Sequence, residues 1–134
     1  VSKRLLVAGV FLAGLLAGVT LRAGLGLTQS GAPDAEVVYA IDHAADANGL
    51  SRRFLHCLAQ RESTWRPWAV GDYGAAHGLY QFHWGTWRWA SARYGFAGYS
   101  PYHAWAAAHV AAGLIADGGR GHWPPARYCG SERW

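Results

Sequence analysis

Glu62 is the residue whose setting points most directly to chemistry. Within SRRFLHCLAQRES (residues 51–63), a helix advancing about 100° per residue gathers Leu55, Leu58 and Ala59 into one sector. Glu62 falls between Leu55 and Leu58 on that wheel, at the last turn. A carboxylate aimed from an apolar face loses hydration, which disfavours its charged form and raises its pKa. The negative end of the helix dipole pushes the same way. A carboxyl still protonated near neutrality can donate to a leaving-group oxygen, the acid step of glycoside cleavage. The alternatives are a carboxylate reaching solvent from a helix end, or one paired with Arg52, Arg61 or Arg66.

A two-carboxylate glycosidase needs a second acid. After Glu62 only Asp72, Asp117 and Glu132 remain. Asp117 stands at a helix end and Glu132 in the tail. Asp72 is nearest, but Gly71-Asp72-x-Gly74 is equally ordinary turn chemistry. The seven histidines show no HExxH spacing and no ligand cluster, so no metal and no cofactor are expected; His77 and His83 read as loop contacts. Tyr80, Trp84, Trp87 and Tyr99 offer flat faces for sugar packing, with core packing as the alternative for each.

The elements that must position these residues are mostly helical. A first helix is expected from about Pro33 to Asn48, with Val37, Val38, Ile41, Ala44 and Ala45 on one face and Asn48-Gly49 as its stop. Ser51 caps a second helix, which Trp65-Arg66-Pro67 ends. The glycine-rich stretch 69–82 reads as an irregular loop or a small hairpin. A third helix is expected from Thr86, as cap, to Tyr94. A fourth opens with Ser100-Pro101 and runs to about Asp117, with Trp105, Ala108, Ala112 and Ile115 as its stripe. The tail around Cys129 reads as a turn and a short helix. The fold class is therefore mainly α, with a small β element as an option near 69–82.

Glu62-Ser63 is followed at close range by Pro67, Ala69, Val70, Gly71, Asp72, Gly74, Ala76, Gly78, Leu79 and Gln81, and then by Thr86-Trp87. This order resembles the lysozyme-like superfamily, specifically the lytic transglycosylases and their phage and actinobacterial relatives: a helix ending in catalytic Glu-Ser, then P-x-A-v-G-D-x-G-x-A-x-G-L-x-Q. The resemblance covers roughly residues 36–129 and is strong in 57–87. It implies a lysozyme-like helical domain that cuts the β-1,4 bond between N-acetylmuramic acid and N-acetylglucosamine in peptidoglycan. Glu62 would be the acid, Gln81 would hydrogen-bond the substrate nearby, and Ser63 would either contact the scissile region or cap the helix. The family route lets one carboxyl act twice, first as acid and then as base on the sugar's own C6 hydroxyl, giving a 1,6-anhydro product. The scarcity of other acids favours it over hydrolysis. The Ala-Tyr-Asn motif of many lytic transglycosylases is missing; DGGRGHWPPARYC stands in its place and is closer to compact lysozyme-like and resuscitation-factor-like branches.

The chain has 134 residues and a formal net charge of +4. Lys3, Arg4 and Arg22 flank an apolar stretch, residues 5–21. Without them nine basic residues face eight acidic ones, with no basic run, so no nucleic-acid partner is expected. Residues 1–22 have the layout of a signal peptide or membrane anchor that places the rest outside the cytoplasm; 23–34 read as a linker and 35–134 as the domain, a monomer. In an exported protein the two cysteines, Cys57 and Cys129, suggest a disulfide, the alternative being two buried thiols. The bridge would close a loop of roughly 70 residues, worth on the order of 4 kcal/mol. A rival function is a non-catalytic, membrane-anchored wall-binding module using the aromatic surface alone. Another is a chitinase or c-type lysozyme-like hydrolase, against which the single cysteine pair and the GLYQF context speak.

Overall fold

The first helix, α1 (Ala35–Ala47), follows from a five-residue apolar face: Val37, Ala40, Ile41, Ala44 and Ala45 are all buried. Glu36 in its first turn suits the positive helix end. Its exit is a Schellman arrangement: Leu50 N–H donates to Ala45 O at 2.9 Å and Gly49 N–H to Asp46 O at 3.3 Å. Gly49 takes the left-handed conformation this requires, and Leu50 drops into the core. Ser51 then caps α2 (Arg52–Ser63), accepting from Phe54 N–H at 3.3 Å. In this computed structural model residues 31–134 are described; the N-terminal segment and most of the expected linker lie outside the described residues. Among the described residues no helix is long and apolar enough to cross a membrane.

The glycine-rich stretch resolves into a three-stranded antiparallel sheet with two-residue strands: β1 (Val70–Gly71), β2 (Ala76–His77) and β3 (Phe82–His83). Val70 pairs with His77, and His77 with Phe82. A short 3-10 turn, Asp72–Gly74, joins β1 to β2. The strand order follows the chain, so the stretch is a meander rather than a single hairpin.

Two helix starts differ from expectation. α3 spans Trp84–Arg93, two residues earlier than Thr86, and His83 is its N-cap residue, because β3 ends where the helix begins. α4 spans Ala104–Ala116, not from Pro101. Ser100 Oγ accepts from Tyr102 N–H at 3.3 Å and Pro101 is fully buried, so Ser100–Tyr102 form a side-chain-closed turn. His103 is the actual cap, its ring accepting from Ala106 N–H at 3.4 Å. Helix α4 is buried nearly all round through its run of Ala, Val, Gly, Leu and Ile, not along one stripe. It packs most extensively on α1, and α1 in turn on α2. Gly113 leaves room on α4 for the residue that ends α3, since a Cβ there would lie 2.7 Å from the Tyr94 ring.

Two 3-10 segments, Gly119–His122 and Pro124–Tyr128, close the chain. A disulfide joins Cys57 on α2 to Cys129 directly after them, Cα to Cα 5.6 Å. The closed loop of 72 residues runs from the middle of α2 to the tail, so reduction should lower stability by about 2–4 kcal/mol. Denaturant titrations with and without reductant, compared with Cys57→Ser/Cys129→Ser, measure this. Identical midpoints in all three would remove the disulfide from the account of stability.

Candidate active site

Glu62 occupies the last turn of α2, next to fully buried Leu55 and Leu58. Its carboxyl is half-buried, and burial is what raises its pKa above the ordinary glutamate value. Among the described residues neither Arg52, Arg61, Arg66 nor any other cation forms an ion pair with it. Desolvation without a counter-ion is the condition that keeps a carboxyl protonated.

Ser63 does not face outward. It is 3 % exposed, and its hydroxyl donates toward Leu79 O at 2.8 Å, with Ala59 O next at 3.1 Å. It accepts from Arg66 N–H at 3.1 Å. Helix α2 is thereby joined to the loop 78–81, one residue from Glu62. The helix stops there because Thr64 and Trp65 both adopt left-handed backbone, φ 54° and 55°. Arg66 Nε donates to Ser63 O at 2.9 Å, satisfying a terminal carbonyl.

The loop is held from both ends. Tyr80 is wholly buried, its hydroxyl donating to Leu55 O at 3.2 Å. Its own carbonyl accepts from Trp123 Nε1 at 2.8 Å. Gln81, at φ 52°, turns its amide back so that Nε2 donates to Gly78 O at 3.0 Å and Ala69 O at 3.2 Å. Gly71 gives this amide room: a Cβ there would sit 2.3 Å from Gln81 Oε1. Gly78, at φ +80°, lies against Pro101, whose carbonyl oxygen would be 1.9 Å from an added Cβ.

Beside this loop a hollow of about 240 Å³ is lined by Gln81, Phe82, His83, Thr86, His122 and Trp123. Asp72 is exposed and faces His83, Oδ2 to Nε2 3.3 Å. Trp84 and Tyr99 are 46 % and 47 % exposed. Tyr80 and Trp87 are not: Trp87 is buried, edge-on to Phe82, its Nε1 donating to Tyr99 O at 3.0 Å. Their apolar rings fill the core between helix and sheet, so the expected sugar-packing role is corrected for both. Phe82, His122 and Trp123 were not singled out by sequence; the last two arrive from a tail some forty residues away with no local pattern to mark them. Among the described residues no group of three or more His, Cys, Asp or Glu stands together to hold a metal.

The Transglycosylase SLT domain family matches residues 39–118, from α1 to the end of α4. The chain belongs to this family. The matched region contains Glu62, Ser63, the whole sheet and Gln81, while Trp123 and the second cysteine lie beyond it. No curated protein and no solved structure matches the chain. As an SLT domain the chain falls among lytic-transglycosylase-like proteins of the lysozyme-like superfamily, whose substrate is peptidoglycan, and its mainly helical build with a small sheet accords with that fold.

Two consequences of the SLT loop geometry can be measured. Gly78→Ala meets both backbone strain and a blocked carbonyl, whereas Gly74→Ala, at φ +94° with nothing within 4 Å, meets strain alone. Gly74→Ala should cost about 1–2 kcal/mol and Gly78→Ala clearly more, by thermal unfolding; equal losses would show that contact with Pro101 is immaterial. Glu62 sets a second test. Because its folded pKa is raised, the native state binds the proton more readily than the unfolded chain. Stability from this group is full at acid pH and declines as pH rises from the ordinary glutamate value through the raised one. Glu62→Gln should therefore unfold at an equal or higher temperature than wild type at pH 7, the difference fading in acid. A Gln variant less stable at pH 7 would contradict the uncompensated burial.

Proposed function

We propose that this SLT domain cuts the β-1,4 bond between N-acetylmuramic acid and N-acetylglucosamine, with Glu62 as proton donor and then acceptor. The observation that carries the reading is a half-buried carboxyl with no counter-ion, its pKa raised by burial, at the end of α2. Glu62 protonates the glycosidic oxygen as the C1–O bond breaks. Its carboxylate then removes the proton from the C6 hydroxyl of the same muramyl sugar, and O6 bonds to C1. The products are a 1,6-anhydro muramyl end and a free 4-hydroxyl on the glucosamine. No water is consumed, and Glu62 ends protonated as it began.

The second carboxylate that hydrolysis would need has little support. Asp72 is exposed at the 3-10 turn and occupied by His83. Ser63 and Gln81 serve the reaction as positioning residues, the Ser63 hydroxyl and Gln81 Nε2 being engaged with loop backbone; Trp84 and Tyr99 supply sugar-packing faces. The domain works as a monomer outside the cytoplasm, delivered or anchored by its apolar N-terminal segment. A purely wall-binding module has no use for an acid held uncompensated in a half-buried site.

Zymography on purified wall and mass spectrometry of the released fragments test this reading. Glu62→Gln should lose about 10²–10⁴-fold in kcat, whereas Asp72→Asn should lose less than about tenfold, because exposed Asp72 takes no proton in the scheme. Fragments should be lighter by one water than reducing-end products. The rate should fall as pH rises through the raised pKa of Glu62, since the acid form is then lost. Reducing ends together with an Asp72→Asn loss as large as that of Glu62→Gln would replace this route with two-carboxylate hydrolysis.

A further inference from the structure

The arginines divide into two sets. Arg52 faces Asp42 and Asp46, Arg93 faces Asp117, and Arg120 faces Glu132. Among the described residues Arg53, Arg61, Arg66, Arg88, Arg127 and Arg133 form no ion pair with a carboxylate, and of these Arg53, Arg61 and Arg127, all exposed, stand out. They are also neighbours. Arg53, Cys57 and Arg61 stand one turn apart on α2 and share a stripe. The Cys57–Cys129 bridge draws Tyr128 and Arg127 onto that stripe.

Tyr128 is the meeting point. Arg61 Cζ lies 4.9 Å from its ring centroid and Arg127 Cζ 4.6 Å, with Arg127 Nη2 donating to the phenol oxygen at 2.7 Å. The ring walls an open groove of about 420 Å³, lined also by Arg53, the disulfide and the hydroxyl-bearing Ser51 and Ser131. The adjoining acids are committed elsewhere: Glu132 to Arg120, Asp42 to Arg52 and His56. Glu62 follows Arg61 in the chain, yet its acidity reflects burial and no neighbouring cation, so Arg61 does not serve it. Exposed guanidiniums gathered at one ring, with N–H donors left over, suit planar carboxylates.

We propose that Arg61 and Arg127 on the Tyr128 ring, with Arg53 in the adjoining groove, bind the carboxylates of the peptide stems borne by the muramyl residues of the glycan strand. This rests on the glycan-cleaving reading above. The stems hang from the sugar whose bond Glu62 cuts, and Arg61 precedes Glu62 on the same helical turn. A stem on a sugar held at Glu62 thus starts near Arg61, whereas a separate phosphodiester polymer is not tied to that sugar. The groove selects peptide-bearing over bare strands, acting on KM and leaving kcat unchanged.

The test uses the Glu62→Gln chain, so that binding is read without cleavage. It is cosedimented with peptidoglycan stripped of wall polymers, with the same material after amidase removal of the stems, and with wall retaining its phosphodiester polymers. Adding Arg61→Gln/Arg127→Gln should weaken binding to stem-bearing strands about tenfold and leave stem-free strands unaffected, and raised salt should act likewise. Arg61→Lys/Arg127→Lys, which keeps the charge but loses the planar fork, should recover only part of the affinity, and unfolding curves check that each variant is folded. Equal weakening on stem-free strands, or weakening only where phosphodiester polymers remain, overturns the proposal while leaving the glycan-cleaving reading intact. Failure of the Glu62→Gln chain to bind either kind of strand overturns both.

Discussion

The hydroxyl of Ser63 is the joint on which the site depends. It ties the end of α2 to Leu79 at 2.8 Å and takes the N–H of Arg66 as the chain leaves the helix. A buried hydroxyl that found no partners would cost roughly 1–3 kcal/mol, so helix and loop must settle together. Glu62 inherits its position from this joint. The joint fixes the backbone that carries Glu62, whose carboxyl is half-buried.

Strain is concentrated in the same region. The non-glycine residues with left-handed backbone among those described are Thr64, Trp65, Asp72, Tyr73 and Gln81. Asp tolerates this region, but a β-branched Thr and a bulky Trp do so at a cost. Gln81 is held there because its side-chain amide closes on Gly78 and Ala69, and Gly71 leaves the space it requires. The core offsets these costs. Tyr80 and Trp87, which could have served as sugar platforms, are instead the apolar mass that holds the sheet against the helices.

The tail completes what the helices begin. Trp123 enters the wall of the hollow and donates to Tyr80 O, fixing the far side of the loop that Ser63 holds on the near side. The disulfide then returns the tail to α2 and sets Tyr128 between two guanidiniums. One covalent link therefore closes a long loop and shapes a groove beside the first half of α2, with Arg61 and Tyr128 toward its other end.

Much of this was legible in residue order, because it follows from local periodicity and spacing. The wheel position of Glu62 between two leucines is a property of 3.6-residue geometry, and the apolar face of α1, the Ser51 cap and the glycine-marked ends depend on neighbours a few residues away. Other features depend on what approaches from far along the chain. Ser100-Pro101 looked like a helix start, yet Pro101 packs against Gly78 and the helix waits for His103. Trp87 and Tyr80 differ from Trp84 and Tyr99 in no local respect; burial between helix and sheet separated them. The pairing of Tyr128 with Arg61, across more than sixty residues, was set by the disulfide and the final 3-10 turn. Sequence alone determined which acid stands on an apolar face. Tertiary packing decided whether any cation would reach it, because counter-ions and solvent access come from segments distant in the chain.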